Sequence, residues 1–149
     1  MTAHPGAAPP PTTADTVRVD RIGPERYAGH NGRAAAIPIG LAGADGTFSP
    51  TELLRIALAG CEGLAADHVL SRRLGDRADV TITVGGQFDP AQRRFAGLDS
   101  ALTIDLSGLD EPARDQLRTV VTRAVHRFCT VGRTLERGVP VPVTVRDRA

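Results

Sequence analysis

Two sulfurs are the strongest chemical candidates in this chain. Cys61 sits in "SPTELLRIALAGCEG", residues 49–63, and Cys129 lies far downstream in "HRFCTVGRTL"; the sequence holds no third cysteine. A free cysteine often packs as a small hydrophobe, and on residue type alone that inert reading stands for Cys61. Its neighbours argue for more. Ala57, Gly60, Gly63 and Ala65 leave room for a molecule to approach the sulfur. A reactive cysteine works as a thiolate stabilised by a nearby cation, and an oxidised one is protected when a second thiol can condense with it. Cys129 is the candidate second thiol. Arg26 and Arg33, near the N-terminal strands, are candidate cations, although a solvated loop arginine is the plain reading of each.

Metal binding is the alternative use of the same residues. Cys61 and His68 are seven apart on one helix, hence on nearly the same face, and His126 and Cys129 are three apart on another. Two Cys and two His suit a tetrahedral zinc, but this Cys–His interval lies outside the usual close-ligand spacings. No nucleophile-elbow serine, Walker A loop or dinucleotide fingerprint occurs, despite 16 glycines. No cofactor is expected.

The elements that must position the thiols follow from pattern. "VRVDRI" and "AAAIPIG" read as short strands of an antiparallel meander, with Pro38 near an edge. Residues 41–48 read as a loop. Ser49 as N-cap, Pro50 at the first helical position and Glu52 three residues after Ser49 make a capping box. That helix runs to about Leu74, where Gly75 can end it. Its apolar surface, from Leu53 to Leu70, is wider than one stripe and predicts burial on more than one side, by a sheet and helix or by a partner subunit. "DVTITVGGQF" and "SALTIDLSGL" alternate and pair as a hairpin, with a bulge or bend expected at Gly85-Gly86. Asp110 caps a second helix whose stripe is Leu117, Val120, Val121, Ala124, Val125 and Phe128, with Cys129 beside its end. "VPVPVTV" predicts a final edge strand. Strand runs separated by helices make an α+β fold.

Bulk properties set the frame. A chain of 149 residues suffices for one domain with a real core. A net charge of +1 gives no reason to expect a nucleic-acid or acidic-membrane partner. Two cysteines are too few for a disulfide scaffold. Residues 1–15, rich in Pro, Ala and Thr, are expected to form a disordered tail without the pattern of a signal peptide. No apolar stretch reaches transmembrane length. The expectation is a cytoplasmic protein with a single domain over residues 16–149.

"SPTELLRIALAGC" together with "CTVGRTLERGVPV" resembles the OsmC/Ohr family of osmotically inducible and organic hydroperoxide resistance proteins. The likeness spans roughly residues 16 to 145. It implies antiparallel sheets wrapped around two central helices in an intertwined homodimer. It implies a thiol peroxidase acting on organic hydroperoxides, in which Cys61 is the peroxidatic cysteine, Cys129 the resolving one, and an external dithiol, a lipoyl protein among the candidates, the reductant. The family's arginine maps best to Arg26, with Arg33 as second choice. The family's glutamate, ten residues before the peroxidatic cysteine, is replaced here by Thr51, and the acid stands next door at Glu52. One residue is a rotation of about 100° on a helix, and Glu52 is about 13–14 Å from Cys61 along the axis. That departure supports an alternative: an OsmC-fold protein with little peroxidase activity, serving as a ligand-binding or redox-sensing module.

Overall fold

The structure is a computed structural model that describes residues 16–147; the expected tail over 1–15 lies outside the described residues. Eight elements follow one another: β1 (Arg18–Gly23), β2 (Arg26–His30), β3 (Ala36–Ile39), α1 (Pro50–Leu74), β4 (Val80–Asp89), β5 (Arg94–Ile104), α2 (Glu111–Phe128) and α3 (Thr130–Arg137). They form two compact units, one up to Leu53 and one from Leu54.

In the first unit, β1, β2 and β3 make an antiparallel meander in that order. Pro24 and Glu25 turn β1 into β2, and Glu25 has a φ of 55°, the pairing of proline and left-handed residue that type II turns use. Asn31 organises the next turn, its Oδ1 accepting from the N–H groups of Arg33 at 2.9 Å and Ala35 at 3.1 Å. Pro38 lies on β3 at the sheet's edge, as its missing N–H requires. The loop after β3 closes on itself through Phe48, whose N–H donates to the Pro38 carbonyl at 3.0 Å. The helix start is the capping box in full. The Ser49 N–H donates to Glu52 Oε2 at 2.7 Å, and the Glu52 N–H donates to Ser49 Oγ at 3.3 Å.

In the second unit the rest of α1, the β4–β5 hairpin, α2 and α3 share a core. Ala66 and Leu70 of α1 pack with Leu117 and Val121 of α2, and Val80, Leu102 and Ile104 of the hairpin close over them. Gly63 lets α1 approach β4: a Cβ there would lie 3.0 Å from Ile82 Cδ1. Gly75, at φ 85°, ends α1 with its N–H on the Ser71 carbonyl at 2.9 Å. Asp110 caps α2 by accepting from the Ala113 N–H at 2.9 Å. The Arg114 guanidinium holds the β5–α2 connection, its Nε donating to the Leu106 and Leu109 carbonyls.

Three expectations are corrected. The final edge strand is absent: α3 follows Cys129, and residues 138–147 form neither helix nor strand. Val139, Val141, Val143 and Val145 along them are exposed: Pro140 and Pro142 strip donors from one edge, and among the described residues no strand pairs with the other. The register shift of the hairpin falls between Gln87 and Phe88, after Gly85-Gly86. The two glycines pair regularly and instead make room, since a Cβ on Gly86 would come within 2.8 Å of Leu98 and Phe95. Phe128 is 61% exposed rather than part of the buried stripe of α2, because the helix ends there and the chain turns at Cys129. As expected of α1, a sheet and a second helix both pack on it; within this one chain Leu58, Glu62, Ala66 and Leu70 are buried, while Ile56 and Leu64 are exposed.

Candidate functional site

Cys61 projects from the middle of α1 and is half-buried, whereas Cys129, at the junction of α2 and α3, is 2% exposed. Cys129 ends one helix and begins the next. Its N–H donates to the Val125 carbonyl at 2.9 Å, closing α2, and its own carbonyl accepts from the Arg133 N–H at 3.1 Å, opening α3. Its Sγ then takes the N-cap position that a serine oxygen usually fills, accepting from the Gly132 N–H at 3.3 Å. The neighbouring N–H, from Val131, points at the other sulfur and donates to Cys61 Sγ at 3.5 Å. Two otherwise orphaned donors at the start of α3 are thus divided between the two thiols.

The two sulfurs are therefore neighbours, each held by one of two consecutive N–H groups. Burial pushes the Cys129 thiol up; the Gly132 N–H pulls the other way, and the Cys61 thiol and the charge of Glu62 add to the upward push. Gly132 is required by closeness. A Cβ there would stand 3.3 Å from Cys129 Sγ and 3.6 Å from Leu58 Cδ1. Gly60, one residue before Cys61, borders open space. Two neighbouring thiols, one half-exposed and one enclosed, can be joined as a disulfide and returned to thiols by exchange.

Glu62 escaped the sequence reading. It is 6% exposed, its Oε1 accepts from Ser100 Oγ of β5 at 2.8 Å, and its Oε2 is buried without a hydrogen-bond partner among the described residues. The signal was available: Glu62 falls four residues from both Leu58 and Ala66, on the buried stripe, where an acid is out of place.

The remaining sequence candidates fall elsewhere. Arg26 opens β2 and is exposed, Arg33 lies exposed in the β2–β3 turn, and Glu52 serves the capping box; all three belong to the first unit. His68 and His126 are exposed, and among the described residues no group of three or more His, Cys, Asp or Glu side chains is placed to hold a metal ion. No described helix is long and apolar enough to cross a membrane.

Comparison with known proteins places this geometry in context. The profile of the family described as OsmC-like protein matches residues 43–144. An uncharacterized protein of Mycobacterium tuberculosis is 44% identical over 129 residues, covering 87% of this chain and 94% of its own length. Among solved structures, a hypothetical protein from Aquifex aeolicus superposes with a TM-score of 0.64 at 16% identity, over 82% of this chain and 86% of that one. An OsmC-like protein from Mycoplasma pneumoniae gives 0.62 at 14% identity, over 81% and 86%.

Proposed function

Because the chain belongs to the OsmC-like protein family, we propose that it is a cysteine-based thiol peroxidase that reduces organic hydroperoxides. The observation that supports this reading is the meeting of Cys61 and Cys129, from distant parts of the sequence, on the consecutive N–H groups of Val131 and Gly132. In the proposed cycle the Cys61 thiolate attacks the peroxide O–O bond. Alcohol or water leaves, and Cys61 becomes a sulfenic acid. Cys129 condenses with it, water departs, and a disulfide remains that guards against over-oxidation. An external dithiol reduces the disulfide by exchange. Arg26, or Arg33 in its place, is the proposed cation that orients the peroxide through charge-assisted hydrogen bonds. The half-exposed Cys61 and enclosed Cys129 fit the order of events, since the sulfur that meets peroxide is the reachable one.

In this reading residues 16–149 act as one cytoplasmic OsmC-like domain and work as a homodimer. Exposed Ile56 and Leu64 on α1, and Phe128 at the end of α2, support a partner that covers them. The second reading, a binding or redox-sensing module with little turnover, is favoured by one observation: Thr51 replaces the family's acid, and Glu52 is engaged at the helix cap.

The deciding experiment is intact mass after one equivalent of cumene hydroperoxide, without reductant, on wild type and Cys129→Ser. The peroxidase reading expects rapid loss of two hydrogens in wild type and a sulfenic adduct at Cys61 in the variant. No mass change over minutes would transfer the assignment to the module.

A further inference from the structure

The short helix α3 has little besides its ends to hold it. It is 8 residues long, none of its residues is buried, and Gly132 stands in its first turn. A helix of that length is marginal on its own, and a glycine inside it weakens it further. At its far end the Gly138 N–H donates to the Thr134 carbonyl at 2.9 Å, and Thr134 Oγ1 donates back to the Thr130 carbonyl at 2.8 Å. Its start depends on sulfur. The Gly132 N–H donates to Cys129 Sγ at 3.3 Å, and the Val131 N–H donates to Cys61 Sγ, on α1, at 3.5 Å. The first N–H groups of a helix have no partner within it, and the side chains that accept from them decide whether a marginal helix forms.

Both sulfurs are free thiols, and each meets its own donor. Joining them changes those terms. The sulfurs must draw together from non-bonded to covalent distance, so the direction of each is set by the other sulfur and no longer by an N–H. Neither can then take the thiolate charge that strengthens a hydrogen bond. We propose that this arrangement makes α3 redox-sensitive: the two free thiols close its first turn, and the Cys61–Cys129 disulfide loosens it. The proposal rests on the two-cysteine reading given above. In that cycle Cys129 attacks the sulfenic sulfur of Cys61, the S–S bond forms, the S–O bond breaks, and the hydroxyl leaves with the thiol proton as water. Residues 130–137 run straight into the irregular, exposed residues 138–147, so oxidation lengthens that irregular stretch backwards towards Cys129.

The disulfide can be closed without peroxide. Diamide, an azo oxidant, adds one thiolate across its N=N bond; the second thiolate attacks that sulfur, and the two electrons and two protons leave with the resulting hydrazine. Intact mass reports the loss of two hydrogens. Hydrogen exchange, read by mass spectrometry on peptic peptides, then compares α3 with α2 in the full chain, reduced and after diamide. Losing a helix cap of ordinary strength speeds exchange about fivefold. The expected result is that α3 of the oxidised wild type exchanges about fivefold faster than in the reduced protein, while α2 is unchanged. Cys129→Ser keeps an oxygen at the cap and cannot close the disulfide, so its α3 should stay protected with and without diamide. Cys129→Ala has no cap, and its α3 should exchange as fast as in the oxidised wild type under both conditions. If the alanine variant unfolds, its α2 peptides reveal it, and the wild-type comparison decides alone. Exchange in α3 that is equal or slower once the disulfide has formed overturns the proposal. So does a wild type from which diamide removes no hydrogens, or a folded Cys129→Ala as protected as Cys129→Ser. The two claims fail separately. A chain inert to cumene hydroperoxide whose α3 loosens under diamide loses the peroxidase reading alone, and an active peroxidase whose α3 exchanges alike in both states loses this one alone.

Discussion

Raising the pH on the fully reduced protein tests the enclosure of Cys129. Its side chain is 2% exposed, and burial is the largest influence holding its thiol above the ordinary value, against the opposing bond from the Gly132 N–H. A thiol with a raised folded pKa binds its proton more tightly in the folded than in the unfolded chain. Between the two values the unfolded chain has already lost that proton. Stability is therefore full below the ordinary thiol pKa of about 8.5 and falls as pH rises towards the folded value. One thiol limits the slope to about 1.4 kcal/mol per pH unit. The composition makes this window unusually clean. All 18 basic residues are Arg, which stay charged, and there is a single Tyr. Urea unfolding of wild type and Cys129→Ser, in reductant at half-unit steps from about pH 8 to 10, gives the difference directly. Wild type should lose more stability per pH unit than the variant across that range, by no more than the one-thiol limit. Parallel curves, or a wild type that gains stability, would refute the enclosure.

Three further outcomes follow from the packing. Leu117→Ala removes a fully buried side chain from the contact of α1 with α2 and should cost about 3 kcal/mol by urea unfolding, a loss under about 1 kcal/mol meaning that the site collapses onto the gap. Asp110→Ala removes the oxygen that accepts from the Ala113 N–H and should cost about 1 kcal/mol, with Asp110→Ser recovering most of it in thermal melts. Gly132→Ala brings a methyl to 3.3 Å from Cys129 Sγ. The alanine gains up to about 1 kcal/mol of helix propensity against that crowding, so the melting temperature followed by circular dichroism should stay near wild type, and a large drop would mean that the crowding is not relieved.

Much of the fold was legible because its signals are local. Ser49, Pro50 and Glu52 announce α1 and Gly75 its end, since each answers a need of the helix terminus within a few residues. The alternation of β4 and β5 and the cap at Asp110 are of the same kind. The helix α3 was missed because its N-cap is a sulfur, outside the usual set of Ser, Thr, Asp and Asn, while the alternating valines beyond it imitate a strand. Cys61 and Cys129 are both legible in the sequence as candidate thiols, but only resemblance assigns them peroxidatic and resolving roles there. Spacing alone gives no distance between two helices, and the structure brings both sulfurs to consecutive N–H groups at the start of α3. Glu62 was passed over because a charged residue beside a cysteine draws the eye to solvent. Its burial depends on β5 supplying Ser100 from 38 residues away. Arg26 and Glu52 each lie within the first unit, on β2 and at the helix cap, the second as the capping box announces.

The segment over residues 138–147 has a consequence for how this chain behaves in crowded solution. Residues two apart along an extended chain direct their backbone groups to the same edge. Val139, Val141, Val143 and Val145 therefore present one edge with a full set of N–H and C=O groups, while Pro140 and Pro142 strip donors from the other. Four exposed valines in a row of alternating positions would otherwise be a template for cross-β stacking. The prolines act as gatekeepers: another strand can be accepted along the valine edge, but continuation of the ladder on the far side is interrupted, so a one-time docking remains open while fibrillar growth is blocked.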